Sequence, residues 1–143
     1  MAITPLKDKS AIKSLIDTDS FITETLKFEP RNILVYDEVD EEVTGDTKYI
    51  FIVNYPSPPS PNGHNAVVVY GIECVTNKDI QGDALRAMQR VLEILDGADI
   101  GRNHILDIYE HITQLKAPKG TVRYGLSVKF ETPIHAIKVS NKI

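Results

Sequence analysis

The side chains in this sequence that could do chemistry are few, and their spacing does not gather them. There are four histidines, His64, His104, His111 and His135. His104 and His111 lie seven positions apart in a strand-like stretch, and the two-residue period of a strand puts them on opposite faces. His64 falls in a proline loop and His135 follows Pro133. Nothing nearby supplies the usual His/Cys spacing of a zinc site. All four read as surface or interface side chains, and neither metal nor cofactor is expected. Cys74, the one cysteine, excludes an intrachain disulfide framework and suits a reducing compartment. Its apolar neighbours mark it as a small buried hydrophobe, with no local basic partner to activate it as a nucleophile.

Asp37, Glu38, Asp40, Glu41, Glu42 and Asp46 form an acidic cluster. It lacks the alternating oxygen ligands of an EF-hand loop and reads as a solvated hairpin loop. A carboxylate pair for acid–base work stays open, because closeness in sequence does not shift a pKa. The glycine pair Gly97 and Gly101 lacks the Lys-Ser/Thr of a phosphate loop and follows a helix instead of opening one. No serine stands in a Gly-x-Ser-x-Gly elbow. Pro56-Ser57-Pro58-Pro59 has the spacing of a polyproline II ligand; a stiff loop touching a neighbouring subunit suits the same residues.

The elements that would carry these residues follow from periodicity. Ala11, Ile12, Leu15 and Ile16 form a helical stripe, with Lys7, Lys9, Lys13 and Asp17 outside it. Thr18-Asp19-Ser20 offers an N-cap for a short helix holding Phe21, Ile22 and Leu26, which Pro30 stops. Residues 33–39 read as a strand, joined through a 40–47 hairpin loop to a nearly continuous apolar strand, 49–55. The proline loop leads to a second interior strand, 66–75. Ile80, Ala84, Leu85, Met88, Val91, Leu92 and Leu95 share one face of a helix from about Lys78 to Asp96, which Gly97 closes. Gly82 is out of place in a helix interior: either something packs closely on it, or the helix begins later.

The chain closes on a long hairpin, 104–115 and 121–131. Val122, Tyr124, Leu126, Val128 and Phe130 alternate with Thr121, Arg123, Gly125, Ser127, Lys129 and Glu131, so one face is buried and the other is wet or meets a partner. Such strands reach about 36–40 Å at ~3.3 Å per residue. A domain of this length has a radius of gyration of about 15 Å, so the tip is expected to overhang the body. The order α, β, β, β, α, β, β points to an α/β protein of the α+β kind. Its expected architecture is a mainly antiparallel or mixed sheet of about five strands, with two main helices on one face.

The 143 residues suit a single domain spanning 1–143, and 42% hydrophobic with 25% charged residues is ordinary for a globular chain. No apolar run is long enough to span a membrane, and the N-terminus has no signal-peptide core. The net charge of −4 argues against a general nucleic-acid footprint. Its distribution is uneven: residues 1–115 hold 10 basic and 19 acidic side chains, residues 116–143 hold 6 and 1. Such asymmetry lets copies attract one another head to side, unless the fold interleaves the two parts.

In element order, length and texture, the chain resembles the tail terminator, or tail completion, proteins of long-tailed bacteriophages. The segments that carry the resemblance are Ser10-Ala11-Ile12-Lys13-Ser14-Leu15-Ile16, Lys48-Tyr49-Ile50-Phe51-Ile52-Val53, Val67-Val68-Val69-Tyr70-Gly71-Ile72-Glu73-Cys74, the Gly82–Leu95 helix, and Tyr124-Gly125-Leu126-Ser127-Val128-Lys129-Phe130. The resemblance implies an α/β subunit of a six-membered ring in the virion, assembled in the host cytoplasm. Such a ring caps the tail tube, stops its growth and docks onto the head connector or head-closure protein, with DNA free to pass through it. No catalytic residue comes with the family. Other readings are a different neck or baseplate subunit such as a head-closure protein, a small enzyme with a nonstandard site, or a peptide- or nucleic-acid-binding domain.

The residues expected at a subunit contact are Lys116, Lys119, Arg123 and Lys129, meeting an acidic surface for which Asp40, Glu41 and Glu42 are candidates. Pro58 and Pro59 of the stiff loop are expected there too. Reversing Lys116 and Lys119 to Glu is expected to weaken ring formation; unchanged assembly in light scattering would discard that contact.

Overall fold

The computed structural model describes residues 5–35, 48–56, 65–101 and 103–133. Helix α1 (Pro5–Asp17) precedes strand β1 (Ile33–Val35), β2 (Tyr49–Tyr55), β3 (Asn65–Asn77), helix α2 (Gln81–Leu95), β4 (Asp107–Leu115) and β5 (Thr121–Pro133). The strands form one mixed sheet in the order β1-β2-β3-β5-β4. Both helices lie on one face. Ile12 and Ile16 of α1 and Ala84, Ala87, Met88, Val91 and Leu95 of α2 are buried in one core with Ile50, Ile52, Tyr70, Ile72, Cys74, Leu126 and Val128. The expected α+β architecture is the one found.

The β3–β5 pair is the spine. It runs antiparallel without a register break from Asn65 opposite Pro133 to Asn77 opposite Thr121. Val122, Tyr124, Leu126, Val128 and Phe130 of β5 all enter the helix-side core, as their alternation predicts. Because β5 lies between β3 and β4, its opposite face is not simply wet: Gly125 is buried and Ser127 is fully so. The hairpin tip does not overhang as a free arm. The Lys78 N–H donates to the Gly120 carbonyl at 3.0 Å, tying the tip beside the entry to α2.

The connection between the first two strands also departs from expectation. β1 runs parallel to β2, with Ile33 opposite Ile50 and Val35 opposite Ile52, and parallel neighbours cannot be joined by a tight turn. The parallel register sets Ile33 beside Ile50 in the layer under α1. Residues 36–47, which hold the acidic cluster, lie outside the described residues, as does the proline loop after Pro56.

The segment after α1 is a single π-type turn, Phe21–Thr25, not an α-helix. Leu26 N–H donates to the Phe21 carbonyl and Phe28 N–H to the Ile22 carbonyl. Asp19 provides the capping contact, accepting from the Ile22 N–H at 3.2 Å, and its carboxylate also holds Arg90 of α2 at 2.8 Å. The hydrogen bond from Arg90 keeps the Asp19 carboxyl below the ordinary carboxylate range against the opposing effect of burial. Lys48 ties the same corner. Its ammonium reaches the Leu26 carbonyl and, at 3.0 Å, the Asp83 carboxylate, and lies 5.5 Å from the centre of the Phe28 ring.

α2 begins at Gln81, after a 3-10 turn (Lys78–Ile80) at whose start the Asn77 side chain accepts from the Asp79 N–H. The later start places Gly82 in the first helical turn, where a side chain would meet nothing within 4 Å; no close packing explains it. The helix is also rotated from the expected face. Ala87 is buried where Leu85 was expected, and Leu85 is 39% exposed. Gly97 takes a φ of +79°, as expected of the residue after the helix. In urea unfolding, Met88→Ala is expected to cost about 2–5 kcal/mol, and Leu85→Ala about 0.5 kcal/mol; equal losses would contradict this rotation.

Candidate functional site

Two polar groupings stand out, and neither was evident from spacing. The first is enclosed. The Tyr70 hydroxyl donates to Asp8 at 3.0 Å, and the other Asp8 oxygen lies 3.5 Å from His104 Nδ1. The His104 ring stacks on Phe130 with 3.9 Å between centres. Asp8, Tyr70 and His104 are 1%, 1% and 6% exposed, so His104 is not the surface side chain expected of it. Lys9, placed outside the helical stripe by its charge, is likewise buried. Polar partners on β3 and beside β4 draw Asp8 inward, and hydropathy spacing along α1 has no means of registering them. With all three groups sealed from water, this cluster holds α1 to the sheet instead of facing a substrate.

The second grouping lies on the sheet face opposite the helices. Tyr55, at the end of β2, sends its ring across β3 and β5. A Cβ at Gly71 would stand 2.3 Å from that ring, and one at Gly125 would stand 3.3 Å from its hydroxyl and 2.7 Å from a Leu115 methyl. The two glycines therefore make the furrow in which the ring lies. The Tyr55 hydroxyl donates to Glu73 at 2.7 Å, and Arg123 Nε approaches the other Glu73 oxygen at 3.8 Å. Burial, reinforced by the Glu73 carboxylate, pushes the Tyr55 phenol above its ordinary value; Glu110 adds to this and Arg123 opposes it.

Beside the ring, Tyr55, Glu110, His111, Thr113, Leu115 and Ser127 line a recess of about 70 Å³. Ser127 Oγ is buried there without a hydrogen-bond partner, and Arg123 Nε is another buried donor without one. Buried polar atoms without partners are few in native proteins. The β4 wall of the recess is irregular: the pairing with β5 slips between Ile108 and Glu110, and again between Glu110 and Thr113. Two bulges therefore turn β4 side chains toward the recess. β4 is also the last strand of the sheet, and Tyr109 and the preceding Ile105 are 40% and 45% exposed.

A larger surface cleft of about 390 Å³ lies between Phe21 and the outer face of α2. Its two arginines are already engaged, Arg86 with Asp83 and Arg90 with Asp19. Cys74 is fully buried, and burial raises its thiol well above the ordinary value, which leaves little thiolate to react. Among the described residues, no group of three or more His, Cys, Asp or Glu could hold a metal, and no helix is long and apolar enough to cross a membrane.

The residues singled out from sequence are dispersed. Lys116 and Lys119 are exposed at the hairpin tip. Arg123 is turned toward Glu73 with its side chain 15% exposed, and Lys129 lies 3.9 Å from Glu131. Pro58, Pro59, Asp40, Glu41 and Glu42 lie outside the described residues, as do His64 and His135. Tyr55, Glu73 and Ser127 went unnoticed. The available signal was Gly125-x-Ser127 on the polar side of an alternating strand, two small residues where a neighbour's ring could lie.

Tyr55→Phe, which leaves the Glu73 carboxylate buried without its phenol donor, is expected to cost about 1–3 kcal/mol in urea unfolding. A neutral effect would show that Glu73 is satisfied by other means.

No family model matches the sequence, and no curated protein matches it. Among solved structures, a chain in the virion of a native gene transfer agent (GTA) particle is similar with a TM-score of 0.59 at 16% identity, over 87% of this chain and 93% of that one. The likeness covers nearly the whole of both chains, and at this identity it establishes a shared fold.

Proposed function

We propose that this chain is a structural subunit of a phage-like particle. Its finer role on this reading is that of a tail terminator: copies form a ring, hexameric by resemblance, that caps the tail tube and joins it to the head connector. The observation that carries the proposal is the shared fold with a chain of a gene transfer agent virion, nearly end to end in both. Three features support it. Among the described residues, the Asp8 cluster is sealed, the recess beside Tyr55 is small, and the arginines of the Phe21 cleft are held in ion pairs. The sheet ends in a strand whose outer side chains are largely exposed. The hairpin tip presents two exposed lysines, Lys116 and Lys119, a basic spot of the kind that could meet a different, acidic surface of the next copy in a head-to-tail ring.

On this reading the protein has no catalytic activity, its partners are copies of itself, the tube protein and a connector protein, and its place is the head–tail junction of the particle. Native mass spectrometry and negative-stain imaging of the purified chain test the ring. The expected result is a closed ring of about six copies; a strictly monomeric protein at tens of micromolar, alone and with tube protein, would overturn the proposal.

A further inference from the structure

Large apolar side chains left exposed are few among the described residues. One, Leu85, is on α2; the other two, Ile105 and Tyr109, stand on either side of Asp107 along the start of the edge strand. Ile105, Asp107 and Tyr109 are exposed, and they alternate with the buried Leu106 and the half-buried Ile108. They therefore form one outward row. The slip in pairing between Ile108 and Glu110 leaves Tyr109 with no residue opposite it on β5, which frees its ring from the ladder. Carboxylates rim the tyrosine. Asp107 and Glu110 are both exposed, and neither forms an ion pair among the described residues. Lys129, opposite Asp107 in register, leans instead toward Glu131 at 3.9 Å. An exposed aromatic ring and a branched aliphatic, ringed by charge, are the makings of a protein contact and not of a solvated edge.

The other end of the same hairpin carries the complementary pattern. Lys116 and Lys119 are exposed, form no ion pair among the described residues, and stand on either side of the exposed Pro118. The two ammoniums are three positions apart, as the two carboxylates are. The turn is also held in shape before it meets anything: the Pro118 carbonyl accepts from the Thr121 N–H at 3.1 Å and from its hydroxyl at 2.7 Å, and the Gly120 carbonyl accepts from the Lys78 N–H. A fixed turn loses little freedom on docking. It cannot fold onto its own row, because Asp107 pairs with Lys129 and Leu115 with Arg123, which sets tip and row roughly 25 Å apart along the strand. We propose that the Ile105–Tyr109 row of β4 seats the Lys116–Lys119 tip of a second copy of this chain, Pro118 lying against Tyr109 and the two ammoniums meeting Asp107 and Glu110. Giver and receiver are different surfaces, so the contact is head-to-tail. This inference rests on the ring reading above and names its contact.

Light scattering on the full chain over a concentration series tests it, with thermal melting of the dissociated protein alongside. Tyr109→Ala should weaken association about tenfold or more, while melting shifts no more than for an ordinary surface substitution. Two charge reversals decide the pairing. One protein carries Asp107→Lys with Glu110→Lys, the other Lys116→Glu with Lys119→Glu. Each alone presents like charges at row and tip and should not associate; mixed, each row meets a tip of opposite sign, and association should return. Rising salt should weaken it. A cross-link gives the geometry: Ile105→Cys in one protein and Ala117→Cys in another should form a mixed disulfide on mild oxidation, with the native Cys74 fully buried and silent. The proposal is overturned if Tyr109→Ala or the row reversal associates like the parent, if the mixture of reversed proteins stays apart, or if the mixed disulfide fails to form. It is overturned too if the row reversal spares self-association and abolishes only binding to tube protein. A parent protein that never associates refutes the ring itself, an outcome distinct from a ring that forms without this contact.

Discussion

Thirteen residue pairs join β3 to β5 without interruption, and the remaining parts of the molecule are placed by that ladder. One side of it carries Tyr70, Ile72, Cys74, Leu126 and Val128 into the core under both helices. The other side carries Gly71, Glu73, Gly125 and Ser127, each opposite another of the four. Since side chains alternate with a period of two, a slip of one residue between these strands would exchange the two faces entirely. Glycines would then face α2, and isoleucine and leucine would replace the furrow that seats Tyr55.

The helix-side face holds by apolar area, whereas the opposite face adds polar contacts that permit little adjustment. Glu73 is nearly buried among Tyr55 and Arg123, and a buried carboxylate is tolerated only where donors meet it. Tyr55 reaches Glu73 only because Gly71 offers no side chain in its way. Strand β2 therefore contributes twice. Ile50 and Ile52 fill the helix-side core, and the tyrosine at its end reaches across two neighbouring strands. The buried Asp8–Tyr70 hydrogen bond has a comparable role on the other face, fixing the first helix where packing alone would let it slide.

Much of the architecture was legible in the sequence because local pattern and tertiary environment agree there. Residues 49–55 and 66–75 read as interior strands since both of their faces are covered, and residues 121–131 alternate because their two faces differ in kind. What escaped was set at a distance. Nothing in residues 33–55 encodes whether β1 runs with or against β2; that depends on where α1 leaves room. Leu85 and Ala87 exchanged places: Ala87 is buried and Leu85 exposed, a small rotation that hydropathy spacing along the helix does not register. Lys9 and Asp8 read as solvent-facing by type, yet are buried. The Tyr55 recess joins residues 55, 110 and 127, which no spacing rule connects, and only the small pair Gly125 and Ser127 hinted at it.

The two slips in the β4 ladder carry one more consequence. A sheet that ends in a long, flat strand invites unlimited growth, each molecule templating the next into a fibre. Here the pairing of the terminal strand slips twice between Ile108 and Thr113, and bulges of this kind discourage an identical strand from adding flush along an edge. That irregularity guards the edge against open-ended strand addition.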